Sequence, residues 1–122
     1  VEHLGDLAEY VPVMASIGYE NEPINNTGHW FFWKGEPRSH QVHIVERDSW
    51  HYWRLLLFRD YLRLHADEAR EYELLKRGLA VKYATRRKLY SEAKTDYVRA
   101  VIAKALEERP ELHGRFRSRL EA

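Results

Sequence analysis

The chain has 122 residues, a formal net charge of +1, and 44% apolar against 32% charged residues, a composition that fits one compact folded domain and argues against a disordered tail or a strongly basic nucleic-acid binder. It has no cysteine, which excludes a disulfide framework, a thiolate nucleophile and a Cys-ligated zinc. No apolar run approaches the ~20 residues needed to span a bilayer, and the expected location is the cytoplasm.

Val1–Gly5 (V-E-H-L-G) reads as the end of a short strand. No basic flank leads into an apolar run there, so no signal peptide is expected. Asp6–Ile17 reads as a helix, with Asp6 as the cap and Leu7, Val11, Met14 and Ile17 on one face. Pro12 requires that this helix kink or begin late, and Gly18 is the expected stop. Tyr19–Asn26 is polar and reads as a loop, closed by a turn at N-N-T-G. Glu20 and Glu22 in that loop are expected to be solvated.

Trp30–Lys34 (W-F-F-W-K) is aromatic, lies between glycines and reads as a strand. Gly35, Glu36 and Pro37 make a turn. Gln41–Glu46 (Q-V-H-I-V-E) then pairs with the aromatic strand as an antiparallel hairpin, and the strand with His40 and His43 is expected to be buried.

From Ser49 onward the pattern is helical. Ser49–Leu64 predicts a first helix, apolar almost all the way round, with Arg59, Asp60 and Arg63 inside the apolar part. Asp67 is the expected cap of a second helix, whose inner face takes Ala69, Tyr72, Leu75, Leu79 and Tyr83. Thr85–Glu108 predicts a third helix with Leu89, Tyr90, Ala93, Tyr97, Val101, Ile102 and Ala105 inward. Pro110 ends it or opens a short last helix, Glu111–Leu120. There is no internal repeat. The class is α+β: a small mixed β-sheet with helices packed on one side and a helical C-terminal half.

Few residues here carry chemistry by themselves. His40 and His43 are three apart, so a regular strand turns them to opposite faces, and two histidines fall short of a metal site. Arg59 and Arg63 are one helical turn apart and share a face. They read either as a buried ion-pair network with Asp60 or as a guanidinium fork for a phosphate. Lys34, Lys76, Tyr90 and Lys94 read singly as solvated or snorkelling side chains. The tryptophans and phenylalanines of the aromatic strand, with Trp50 and Trp53, read as core rather than as base-stacking platforms. No glycine-rich phosphate loop, serine-hydrolase elbow or zinc-peptidase motif is present.

Taken in order, V-E-H-L-G, W-K-G, S-H-Q-V-H-I-V-E, L-L-L-F-R-D-Y-L-R, E-Y-E-L-L-K-R-G-L-A and Y-S-E-A-K resemble the GrpB family, of the nucleotidyltransferase-like superfamily and also found fused to dephospho-CoA kinase in some bacteria. The resemblance covers nearly the whole chain. It implies a single nucleotidyltransferase-like domain, with Lys34, His43, Arg59, Arg63, Lys76, Tyr90 and Lys94 binding a phosphorylated ligand and Asp60 in an ion pair. In the family, the start leads into a Gly-Ser-Thr-Ser-Val-Pro-Gly-Leu segment and an acidic strand that would hold a metal and phosphates. Here Gly5 is followed at once by Asp6. The expectation is that a loop-and-strand segment is missing between them, since without that strand the sheet would lose a core member.

The implied function is a nucleotidyltransferase-like domain that binds a nucleotide or another phosphorylated small molecule, with Mg²⁺ as the accompanying ion and no assignable catalytic or metal-binding residue. The alternatives are a non-catalytic accessory domain, related to the C-terminal extension of dephospho-CoA kinase, and a plain structural domain. Neither a membrane nor a nucleic acid is an expected partner.

Overall fold

The computed structural model describes residues 1–23 and 28–121. In chain order the elements are α1 (Leu7–Ala15), β1 (Glu20–Asn21), β2 (Trp30–Lys34), β3 (His40–Ile44), α2 (Trp50–Leu64), α3 (Ala66–Lys82), α4 (Arg87–Glu107) and α5 (Pro110–Glu121). The class is α+β, as the sequence implies. The chain forms two compact units, Val1–Trp53 and Arg54–Ala122.

The first unit is built on the aromatic strand. β2 is central, with β1 on one side and β3 on the other. Both pairings are antiparallel, with Phe31 opposite His43 and Phe32 opposite Val42 on one side and Asn21 opposite Phe32 on the other. The sheet is therefore antiparallel and not mixed. A central strand can bury its side chains, and Phe31 and Phe32 are both buried, Phe32 completely. The β2–β3 hairpin forms as expected, with β3 ending two residues early.

Three other expectations for this unit need correction, and a fourth lies largely outside the described residues. Val1–Gly5 is not a strand; the Val1 ammonium donates to the Val45 carbonyl at 3.0 Å, and the Arg47 N–H donates to Val1 at 2.7 Å, without a ladder. Part of the expected polar loop is strand β1, because its backbone completes the free edge of β2. The turn expected at N-N-T-G falls mostly on residues 24–27, outside the described ones. His40 and His43 are exposed, since β3 is an edge strand that turns Val42 and Ile44 inward and Gln41 and His43 outward.

α1 ends at Ala15, and Gly18 follows with a φ of 90° while the Tyr19 N–H donates to the Met14 carbonyl at 3.0 Å. This is a glycine stop of the expected kind. Pro12 lies inside the helix. Asp6 stands at the N-cap without a side-chain capping bond, and of the face expected to pack inward Leu7 and Met14 are half-buried while Val11 and Ile17 are exposed.

The second unit is helical. α3 packs on α4, and α4 on α5. Its core uses Val101, Ile102, Ala105 and Leu106 of α4 with Leu112 and Phe116 of α5. Their offsets of one, four and five residues place them on single helix faces. Pro110 opens α5 at its first position, where its missing N–H costs nothing.

Asp67 is not the cap of α3; the helix starts at Ala66, and Asp67 lies in the first turn, where a carboxylate complements the helix dipole. The second face is otherwise placed as expected: Ala69, Tyr72, Leu75, Leu79 and Tyr83 are all half-buried. On α4, Leu89 and Ala93 are exposed rather than inward. The largest correction concerns α2. Leu57 is buried and Phe58, Tyr61 and Leu62 are half-buried, while Arg59, Asp60 and Arg63 are exposed. The charged trio is on the solvent side of an amphipathic helix, not within its apolar part.

Candidate anion site on the third and fourth helices

α3 and α4 are joined by residues 83–86 and pack as a helical hairpin. Each presents a tyrosine followed four residues later by a lysine. That spacing stacks the pair along one helix face. Lys76 Nζ lies 4.5 Å from the centroid of the Tyr72 ring, and Lys94 Nζ lies 4.9 Å from that of Tyr90. Both contacts are cation–π in geometry. All four side chains are half-buried.

The two Tyr–Lys pairs act on each other. Burial lowers the pKa of Lys94 below that of an ordinary lysine, and the charges of Lys76 and Arg87 lower it further. Burial raises the pKa of the Tyr72 phenol, and Tyr90 adds to the rise. Lys94 is thus partly dehydrated among like charges, which is costly for an ammonium. An anion placed between these cations would add an attraction that offsets the repulsion among them.

The tyrosine end of the site is held by packing. Tyr72 stacks on Tyr97 of α4, with centroids 5.5 Å apart and planes 3° from parallel, and Phe58 of α2 meets it edge-on at 5.1 Å. The Tyr97 hydroxyl donates to Glu68 Oε2 at 2.8 Å, while Lys104 donates to the other carboxylate oxygen. These two donors hold the Glu68 carboxyl below its usual pKa.

Of the residues drawn from the sequence, Lys76, Tyr90 and Lys94 come together here. Arg59 donates through Nε to its neighbour Asp60 at 2.9 Å, and the two side chains are 49% and 51% exposed. Arg59 and Arg63 therefore form no buried fork. Lys34 and His43 belong to the first unit. Lys34 Nζ lies 4.9 Å from the Tyr19 ring centroid. The His43 ring stacks on Phe31 at 4.7 Å and lies 5.9 Å from that of buried His29, which in turn lies 4.4 Å from His51. Among the described residues there is no group of three or more His, Asp or Glu placed to hold a metal ion.

Sequence reasoning missed Arg87 and the role of Tyr72. The repeated Tyr-x-x-x-Lys spacing at 72/76 and 90/94 was the available signal. It also missed Arg54, which is half-buried and whose pKa burial lowers.

Residues 1–104 match the family described as GrpB protein. The chain belongs to the GrpB family. A UPF0157 protein of Pseudomonas aeruginosa is 37% identical over 107 residues, covering 83% of this chain and 43% of that protein. The UPF0157 protein YqkA of Bacillus subtilis is 33% identical over 101 residues, covering 81% of this chain and 29% of YqkA. The chain thus spans less than half the length of either relative. The crystal structure of the conserved protein GrpB from Enterococcus faecalis superposes with a TM-score of 0.68 at 30% identity, over 82% of this chain and 64% of that one. The GrpB assignment accounts for the ordered motifs noted in the sequence. No helix among the described residues is long and apolar enough to cross a membrane.

Proposed function

We propose that this GrpB chain is a binding domain for a nucleotide or another phosphorylated small molecule, and that Lys76, Arg87 and Lys94 hold the phosphate. The observation that carries this reading is the half-buried Lys94 ammonium. The charges that act on it most, Lys76 and Arg87, are both positive. Ground-state repulsion of this kind is relieved by a bound anion, and relief on binding appears as affinity. Tyr72 and Tyr90 orient the two lysines through their ring faces. The missing stretch between Gly5 and Asp6 is part of the proposal. The carboxylates that would make a nucleotidyl-transfer site belong to that stretch in the family, so no catalytic step is assigned to the visible residues.

The test is thermal melting of the full chain with pyrophosphate, ATP, CTP, GTP and CoA precursors, with and without Mg²⁺. A ligand present at one hundred times its Kd stabilises by about 2.7 kcal/mol, a shift of several degrees. At least one phosphorylated compound is expected to give such a shift, and Lys94→Met is expected to abolish it. An unchanged melting temperature with every compound would refute the reading, as would an equal shift in Lys94→Met.

A further inference from the structure

The α3–α4 hairpin carries a charge pattern that the anion site leaves unused. Between Glu73 and Glu92 the sequence has six Lys and Arg residues and no Asp or Glu, in a chain whose net charge is only +1. Arg77 is paired with Glu73 at 2.6 Å, and Lys76 faces Tyr72. Arg87 belongs to the anion site, and the remaining three, Lys82, Arg86 and Lys88, crowd the connection between the helices and are all exposed. Lys88 has only a long contact to Glu92, at 3.9 Å.

Apolar side chains stand among these cations. Val81, in the last turn of α3, is 83% exposed, and Leu89, in the first turn of α4, is 37% exposed. No residue from 74 to 91 is buried. The core of this unit uses Val101, Ile102, Ala105 and Leu106, three to five turns further along α4. The hairpin end is therefore a basic surface with exposed apolar side chains, and the unit's own core does not need it.

We propose that this hairpin end docks on an anionic lipid surface. Lys82, Arg86 and Lys88 would meet the headgroups, and Val81 and Leu89 would enter the interface between headgroup and chain. The pattern is that of a peripheral membrane contact, a cluster of cations beside apolar side chains, and needs no spanning helix. It departs from the composition-based expectation of no membrane partner, because overall charge conceals a local surplus. A nucleic acid fits less well: its sugar-phosphate backbone, which a basic tip meets first, offers Val81 no apolar layer to enter. The two tyrosine faces nearest the tip are already covered, Tyr83 by Lys82 Nζ at 5.3 Å and Tyr90 by Lys94 Nζ at 4.9 Å, so neither is a bare platform for base stacking.

The test is co-sedimentation of the full chain with vesicles of phosphatidylcholine alone and of phosphatidylcholine with one third phosphatidylglycerol. Binding is expected only to the anionic vesicles and should weaken as salt rises. Each basic residue at such a surface is worth roughly a fivefold gain in partitioning. The triple variant Lys82→Gln, Arg86→Gln, Lys88→Gln should therefore lose roughly a hundredfold, while keeping any melting shift with pyrophosphate, since the anion site is untouched. Val81→Asp should lose roughly tenfold, whereas Leu64→Asp, at a site 78% exposed on α2, should bind as the parent does. The idea is overturned by no binding to anionic vesicles, by equal binding to neutral ones, or by an equal loss in Leu64→Asp. Retention by heparin or RNA with no vesicle binding would also overturn it.

Discussion

Lys94 is where residue chemistry and stability oppose each other. Burial, Lys76 and Arg87 all lower its pKa from the ordinary 10.5. The folded pKa is thus below the unfolded one. Between the two values the unfolded chain binds more protons, so stability rises with pH across that window. Below the folded pKa the penalty is fully present. Lys94→Met keeps an apolar stem and removes the charge. It is expected to raise stability at neutral pH by on the order of 0.5 kcal/mol, and the advantage should fade as pH approaches the ordinary lysine range. Melting curves at neutral and alkaline pH decide this. A less stable Lys94→Met at neutral pH would mean that the contact with Tyr90 outweighs the repulsion. Lys76, Tyr90 and Lys94 were legible in the sequence only through family register, because one lysine on a helix face looks like any other. Arg87 was not legible, since its influence on Lys94 acts across two helical turns and depends on how far α3 and α4 exclude water.

At the level of elements, the helices were legible by period and their exposed faces less so. α2 was read as apolar all round because Leu64 shares the outer side with Arg59, Asp60 and Arg63 and blurs the contrast; in the structure Leu64 is 78% exposed. The hairpin of β2 and β3 was legible because aromatic and β-branched residues alternate around a Gly-Glu-Pro turn. β1 was not, because two polar residues recruited by an open edge carry no pattern of their own. Helix interiors also hold two glycines, Gly78 in α3 and Gly114 in α5. A Cβ built at either position meets nothing within 4 Å. With helical backbone and open space, alanine gains propensity and loses no packing. Gly78→Ala and Gly114→Ala are each expected to stabilise the chain by about 0.5–1 kcal/mol, read as a higher urea midpoint with an unchanged slope. A lower midpoint in either variant would show that the site needs glycine for a reason beyond helix propensity.

Over the whole molecule, the sequence carried the family through the order of its motifs, while the charge surplus at the hairpin end stayed hidden in a net charge of +1. The pH dependence of stability is likewise set by arrangement more than composition. Glu68 is the centre of one such arrangement: its side chain is 16% exposed and it accepts from Tyr97 and Lys104. Its carboxyl is held below the usual 4.5, so its contribution is present above the ordinary glutamate range and is lost as pH falls through the lower folded value. Burial, and then the hydrogen bond to Glu68, raises the pKa of Tyr97 above 10.0, while the hydrogen bond to Glu68 raises that of Lys104 above 10.5. Their contribution is present below those values and is lost as pH climbs through the folded ones. Glu68→Gln should therefore cost roughly 1–2 kcal/mol across the neutral range, as expected for hydrogen bonds to a charged group, and the difference from the parent should close at both extremes of pH. Denaturant unfolding as a function of pH measures this directly. A constant difference down to the acid limit would mean that the carboxylate's charge contributes nothing and that only the shape of the side chain matters.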